Sequence, residues 1–571
     1  MKIKNFSIRI ILIITILMIL PGSFIYTGTV SGNILSEPNK TAKLIHNQKR
    51  SHKFGKTALF DFNYKPAGND NSSSFVSESV FMKLNRNTLK QLFNVKDENI
   101  LLEIPVSETE SQKLELTRSY PLSDDFILCD IKSRNEKIIR NFPDGLHYRG
   151  IIKGNDNSVV SVSIFENFIM GIISDSRGNH TLGSVKNPDN SYSEDYIYYN
   201  DKDLKILSGF KCGTDDFDPK FYKQEISGNN YINEFNPSDN PDALTVKIYF
   251  EADYQTYLDN DSDIELTADF IAGMFNSVAV LYQNEDIPVA IKAIGIWTVP
   301  DPYINLSESF DILSAFGELT QNDFEGSLAH LVSTRPDDLG GIAWIRVLCA
   351  DYNSADYSGR YAFSNIYNSY EKYPVYSWTV NVVAHETGHN FGSKHTHACV
   401  WPVGPGGSIG AIDSCYYAEG NCFPAPRPAF GTIMSYCHLW EGAGGGVNFL
   451  LGFGPLPGDT IRLRYNQAPC LQRTLNSSEV PLSFGLFQNF PNPFNPETVI
   501  KFALPEDAFV TLKVYDISGR QVADIIENKF FGSGFYSQRF SADDYSLSSG
   551  IYFYRIDAGK FNESKRMVFI K

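Results

Sequence analysis

The segment VVAHETGHNFGSKHTHAC, Val382 to Cys399, holds four of the chain's ten histidines, beside a glutamate and two glycines. His385 and His389 are one helical turn apart, so on an α-helix both stand on one face and both reach a single ion. Val380, Val383, Ala384 and Thr387 supply an opposite, buried face. Glu386 projects beside such an ion rather than onto it, where a carboxylate can take a proton from water. Gly388 keeps the helix slim. Gly392 can adopt left-handed backbone and turn the chain sharply, which brings His395 round as a third ligand. Three neutral imidazoles leave one coordination position for water, the arrangement of a catalytic rather than a structural zinc. His397, two residues past His395, is expected to point away, and His438 to line a cleft wall or the surface.

The remaining sequence says where such a site would operate. At 571 residues the chain exceeds what one core usually organises, so several domains are expected. A formal net charge of −16 lacks the basic surface that a phosphate backbone needs, so no nucleic-acid partner is expected. Lys2, Lys4 and Arg9 precede an apolar run from Ile10 to Leu20 that Pro21 and Gly22 end, the pattern of a secretory signal peptide, assigned to 1–28. The run is well short of the ~20 residues that span a bilayer. Export makes the eight cysteines readable: six lie between 349 and 470, and in an oxidising compartment such clusters form disulfides.

Composition divides the rest. Residues 29–75 are a polar N-terminal segment. Residues 76–213 carry strand-like runs (LLEIPV, HYRGIIKG, SVVSVSIF, FIMGIISD) and read as a mainly β domain. Residues 214–242, rich in Asp, Asn, Gly and Pro, read as an exposed connector, where proteolytic nicking concentrates. Residues 243–473 mix strands (LTVKIYFEAD, VAIKAIGIWTV, SLAHLVST, GGIAWIRVLC) with helices, the second of which has Ser307 as its expected cap. A third helix carries the histidines, and beyond Gly392 the chain turns irregular. A linker at 474–485 leads to short strands over 486–571, an all-β sandwich of immunoglobulin-like size. The fold class expected is therefore multidomain: a mainly β domain, an α/β domain with a twisted sheet and a site helix, and a C-terminal immunoglobulin-like sandwich.

HETGHNFGSKH matches the metzincin signature, and GTIMSYC around Met434 resembles the methionine turn of that clan. With HTHACVW and GFGPLPGD, the α/β segment resembles the bacterial secreted, reprolysin (adamalysin-like, M12B-type) metallopeptidases. A monomer is expected. The resemblance implies a secreted zinc endopeptidase acting on proteins or peptides: zinc on His385, His389 and His395, Glu386 as general base on the zinc water, Met434 as an apolar base beneath, Gly392 at the turn. It also implies that GGIAWIRVLC lines the upper rim of the cleft, where an extended substrate would pair with it. Two departures stand out. Animal adamalysins have Asp directly after the third histidine, whereas here Thr396 and His397 follow. The MSY sequence resembles the serralysin and astacin type, which gives Tyr436 a role at the metal or the oxyanion. The carboxylate that binds calcium in some adamalysins has no clear counterpart, so calcium is left open.

Cysteine order in that family implies Cys349–Cys470, Cys399–Cys437 and Cys415–Cys422. The 76–213 region resembles a reprolysin propeptide, and Cys212 in KCGTDD loosely resembles a cysteine switch, whose thiolate would fill the open zinc position until the connector is cut. A Cys129–Cys212 disulfide, or two buried thiols, are the other readings. PNPFNP and SGIYFYR make residues 486–571 resemble a type A sorting domain of the type IX secretion system. That implies the type IX machinery as a partner and an extracellular or outer-membrane location. A surface adhesion protein that kept the zinc fold without activity is the alternative, and the intact Glu386 argues against it.

Overall fold

The computed structural model describes residues 38–571, leaving out 63–71, 207–208, 217–243, 322, 337–338, 368, 405–407, 424, 440–445, 472–483, 490–491 and 532–533. The expected signal peptide, nearly all of the connector and most of the linker lie outside the described residues.

The strand-like runs of the N-terminal region build a ten-stranded sheet. Its order is Gly55–Thr57, Asn99–Pro105, Ser111–Arg118, Leu146–Ile152, Asn155–Ile164, Ile169–Asp175, Gly178–Lys186, Tyr192–Asn200, Val80–Leu84 and Phe60–Phe62. Two-residue turns close the hairpins at Ile152/Asn155 and Asp175/Gly178, so consecutive strands lie side by side. This domain starts earlier than the expected boundary at 76. The helix Lys40–Ser51 and the strands at 55–57 and 60–62 belong with it, anchored by buried Ala42, Ile45, Leu59 and Phe60. These anchors are too sparse among polar residues to show as a period in the sequence.

The second sheet has seven strands and crosses the expected domain boundary. Its order is Gly341–Ala343, Tyr361–Asn365, Leu328–Ser333, Val246–Ala252, Val289–Trp297, Leu122–Ser133 and Glu136–Arg140. The five strands from 361–365 to 122–133 run parallel to their neighbours. They are covered on both faces, which is why VAIKAIGIW reads as a nearly continuous apolar run. The strand Leu122–Ser133 was expected in the N-terminal domain, yet it pairs with Val289–Trp297 from Leu122/Ile291 to Ile131/Trp297. Strand propensity says that a segment pairs, not with what.

The helix Ile264–Asn284 is capped by Asp263 and buried along most of its length. The next helix runs Ser309–Thr320 after Glu308, so Ser307 is not its cap. Of GGIAWIRVLC, Gly341–Ala343 forms a strand, antiparallel to Tyr361–Asn365. The C-terminal domain has sheets of three and four strands around a core of its own, and strands such as Gly550–Ala558 alternate buried and exposed residues as a two-sheet packing requires.

Three disulfides join described residues: Cys349–Cys470, Cys399–Cys422 and Cys415–Cys437. The last two correct the pairings Cys399–Cys437 and Cys415–Cys422 that family order implied. The backbone supplies the reason. Cys399 N donates to Glu419 O at 3.1 Å, and Trp401 pairs with Gly410, which in turn pairs with Phe423, so Cys399 is brought beside Cys422. Ile412 N donates to Thr396 O and Thr396 N to Met434 O, which draws Cys415 towards Cys437.

Candidate metal centre

The helix carrying the histidines runs Tyr376–Asn390 and is buried on almost every side, not only on the face expected from Val380, Val383, Ala384 and Thr387. Tyr282 Oη donates to Ala384 O at 2.9 Å. At the helix end, Asn390 Nδ2 donates to Trp344 O at 2.9 Å and Tyr361 O at 3.0 Å, tying it to the sheet. Gly392 follows at φ 97°, a left-handed conformation open to glycine, and its N–H donates to His389 O at 2.7 Å. The chain reverses there and returns His395 to the helix face.

The three imidazoles are held from behind. His385 Nδ1 donates to Ile433 O, His389 Nδ1 to Ser393 O and His395 Nδ1 to Glu419 Oε1, each at 2.8 Å. Carbonyl and carboxylate oxygens only accept, so each Nδ1 carries its ring's proton and each Nε2 presents a bare lone pair. The Nε2 atoms lie 3.1–3.2 Å from one another. Burial, and then the neighbouring imidazoles, hold His385 and His389 well below the ordinary histidine pKa, so both are neutral. Three converging lone pairs repel one another unless a cation lies among them. Tetrahedral zinc with nitrogen ligands at ~2.0–2.1 Å would set them about 3.3 Å apart, so the donor set fits zinc.

Met434 lies against this helix, fully buried. A Cβ added to Gly388 would stand 2.7 Å from its sulfur, so the glycine makes the room the methionine occupies. Ile433, the residue before it, supplies the carbonyl that orients His385. Glu386 is fully buried, with Oε2 3.4 Å from Cys212 Sγ.

Cys212 comes from the N-terminal domain. Its sulfur and a ring nitrogen each of His385, His389 and His395 all lie within 4.8 Å of one another. Its backbone is gripped as well: its N–H donates to Tyr436 Oη at 3.0 Å, and that hydroxyl donates to Cys212 O at 3.1 Å. Gly341 N donates to Lys211 O at 3.1 Å, and Ala343 N to Thr214 Oγ1 at 3.2 Å, so residues 211–214 lie along the rim strand in parallel register. His438 Nε2 donates to Phe210 O at 2.9 Å, so it holds the segment that leads into Cys212. Cys129 forms no disulfide with Cys212; it sits opposite Gly295 in the seven-stranded sheet.

His397 faces away from the three Nε2 atoms. Its ring stacks on His395 at 4.9 Å, and its Nε2 lies 2.7 Å from Glu419 Oε1. Glu419 thus receives both histidines. Burial opposes its charge, but the hydrogen bonds from His395 and His397 outweigh it and hold the carboxyl well below the usual range. Sequence reading missed Glu419 and Thr214. Neither stands at a diagnostic spacing from the histidines, and an acidic residue in YYAEGNC looks like any surface loop.

Comparison with known proteins bears on this arrangement directly. Residues 242–439 match the model of metallo-peptidase family M12. The chain carries an M12 metallopeptidase domain. Family M12 peptidases are zinc-dependent, which agrees with the donor set above. Residues 488–571 match the secretion system C-terminal sorting domain, which marks the protein for type IX secretion to the extracellular or outer-membrane surface. Among curated proteins the chain is similar to disintegrin and metalloproteinase domain-containing protein 19 of Mus musculus, at 24% identity over 311 residues. That match covers 52% of this chain but spans only 30% of the mouse protein. Among solved structures, metalloproteinase-II from Bacteroides fragilis matches at 10% identity and a TM-score of 0.29, covering 53% of this chain and 85% of that one. OgpA from Akkermansia muciniphila matches at 10% identity and a TM-score of 0.21, covering 59% of this chain and 95% of that one. The metallopeptidase domain is thus embedded in a multidomain, strand-rich chain with a separate C-terminal β domain.

Proposed function

We propose that this protein is a secreted zinc endopeptidase made as a latent precursor, with a propeptide up to about 213, a connector cut on activation, a catalytic domain from 243 to 473, and an immunoglobulin-like sorting domain from 486. One observation carries the reading: three proton-stripped Nε2 atoms converge beside a buried glutamate, next to the strand Gly341–Ala343 that residues 211–214 line. His385, His389 and His395 would hold the zinc. When bound, zinc supplies Lewis-acid polarisation of the scissile carbonyl and a more acidic water. Glu386 takes a proton from water at its carboxylate and hands it to the leaving amine nitrogen. Tyr436 Oη, once released from the backbone of Cys212, donates to the substrate oxygen as charge develops there. The strand Gly341–Ala343, which now pairs with residues 211–214, receives the extended substrate by the same hydrogen-bonding groups. In the precursor, Cys212 Sγ would act as a fourth donor, and residues 211–214 fill the place of a substrate.

The test is proteolysis of casein by processed enzyme carrying Glu386→Ala beside the parent, with zinc content measured in both. Loss of activity with zinc retained is expected. Equal digestion by the two would refute the mechanism and would revive the reading as a binding protein on a zinc fold.

A further inference from the structure

The sheet that holds the catalytic helix is not made by the metallopeptidase domain alone. We infer that the N-terminal domain is a strand-donating subunit of this sheet, which stays bound without a covalent link after the connector is cut, so that connector cleavage by itself does not open the cleft. The inference goes beyond latency through Cys212, and rests on the reading above only for where one domain ends and the next begins.

Three independent features join the two parts. The first is the strand Leu122–Ser133. It runs parallel to Val289–Trp297 and covers what would otherwise be an open sheet edge, with Leu128 and Ile131 buried at 1% and 0% exposure. The second is ionic, with a pair at each end of that strand. Just beyond its C-terminal end, Arg134 donates to Glu251 Oε2 at 2.7 Å and Oε1 at 2.8 Å. Glu251 is fully buried in the strand Val246–Ala252, one strand beyond Val289–Trp297, where it also accepts from Trp297 Nε1 at 2.7 Å and Tyr249 Oη at 2.8 Å. The guanidinium lies 5.2 Å from the Trp297 ring centroid and 5.7 Å from that of Tyr303. Towards the other end, Asp125 accepts from Lys292 and Lys247. The third feature is a shared core. Phe165, Met170 and Ile172 of the N-terminal domain pack with Phe270, Met274 and Val278 of the helix Ile264–Asn284. Beside it, Arg149 Nε donates to Asn276 Oδ1 at 2.9 Å and Nη1 to Gln283 Oε1 at 2.7 Å.

This is the anatomy of an obligate interface, a core cut in half, rather than of the more polar contact usual between domains of one chain. Withdrawing the N-terminal domain would leave a bare strand edge and a buried carboxylate without its counter-charge. Breaking a buried ion pair from one side is costly, because the surviving charge stays out of water. None of the residues named in these three features is Cys212 or one of the three histidines, although the shared core extends to Cys212.

The experiment uses the full chain with Glu386→Ala, to prevent self-digestion, and a recognition site for a specific protease placed between residues 217 and 241. After complete cutting, the N-terminal fragment is immobilised and loss of the C-terminal fragment is followed on dilution. Retention at nanomolar concentration is expected, unchanged by chelator or by Cys212→Ala. Arg134→Met is expected to weaken retention about a hundredfold or more. Separation of the parent fragments at micromolar concentration overturns the inference. So does release by chelator or by Cys212→Ala, which would put the hold at the metal centre. If Arg134→Met does not fold, hydrogen exchange on the cut parent decides: the amides of Val289–Trp297 that face the donated strand, rather than Val246–Ala252, stay protected if it remains and exchange freely if it leaves. Peptidase activity of cut parent chain without the Glu386 change is a separate readout. A retained N-terminal fragment with full activity would overturn the closed cleft of this inference, while leaving the association itself intact.

Discussion

Glu419 offers the most discriminating test of how the metal centre is held. Its Oε1 accepts from His395 Nδ1 at 2.8 Å and lies 2.7 Å from His397 Nε2, and its side chain is only 32% exposed. Replacing it by alanine leaves His395 with water as its only acceptor in a half-buried pocket, so the ring loses both its fixed tautomer and its orientation. Removing an outer partner of a ligating histidine lowers metal affinity by roughly 10–100-fold, about 1.4–2.7 kcal/mol. That agrees with the roughly 1.5–3 kcal/mol of a hydrogen bond to a charged group. Glu419→Gln keeps one accepting oxygen for two N–H donors and should fall between parent and alanine. His397→Ala touches Glu419 but no proposed ligand, and should cost about threefold or less by the same logic. The assay is competition for zinc between the folded full-length protein and a chromophoric chelator. If Glu419→Ala binds zinc within about twofold of the parent, with its thermal transition unchanged, the argument that this carboxylate orients His395 fails.

Three further outcomes are expected. With cobalt replacing zinc, the precursor should show thiolate-to-metal charge-transfer absorption that Cys212→Ala lacks; identical spectra would mean that the thiol is no donor. Gly388→Ala sets a Cβ 2.7 Å from the Met434 sulfur and 3.1 Å from Phe453, overpacking that costs about 1–3 kcal/mol, seen as a lower midpoint in calorimetry; an unchanged midpoint would show that Met434 yields freely. Burial pushes Asp201 up to about 7 where it lies near Asn179, Thr181 and Ser377, so the assembled precursor holds a proton that the separated domain gives up at an ordinary ~4. The penalty is absent below about pH 4, grows as pH rises to about 7, and is complete above it. Retention of the cut N-terminal domain should therefore be about thirtyfold tighter at pH 5.5 than at pH 8, and Asp201→Asn should remove the difference; a pH-independent parent refutes the assignment.

Much of the centre was legible because its rules are local. The turn between His385 and His389, the position of Glu386 and the bend at Gly392 follow from helix geometry and from backbone freedom at one residue, and they need no knowledge of the rest of the chain. The same holds for the long apolar helix at 264–284 and the turn-separated strands of the last domain. Other contacts join residues far apart in sequence, and no spacing rule records them. Glu419 reaches His395 because residues 396–398 hydrogen-bond to 412 and 419, and those same contacts set the disulfide partners that family order misassigned.

The sequence by itself determined the histidine triad, its glutamate, and the sorting domain at the far end, since each lies in one short stretch whose periodicity or motif is complete. Only the tertiary structure decided that Cys212 lies among the three histidines, that Tyr436 grips its backbone, and that a strand from the N-terminal domain lies at the edge of the seven-stranded sheet's Val289–Trp297 strand. A strand's sequence specifies its own extended form and its buried faces, but its partner is chosen by which edge the folded chain leaves open. At Val289–Trp297 that edge is filled from more than 150 residues away.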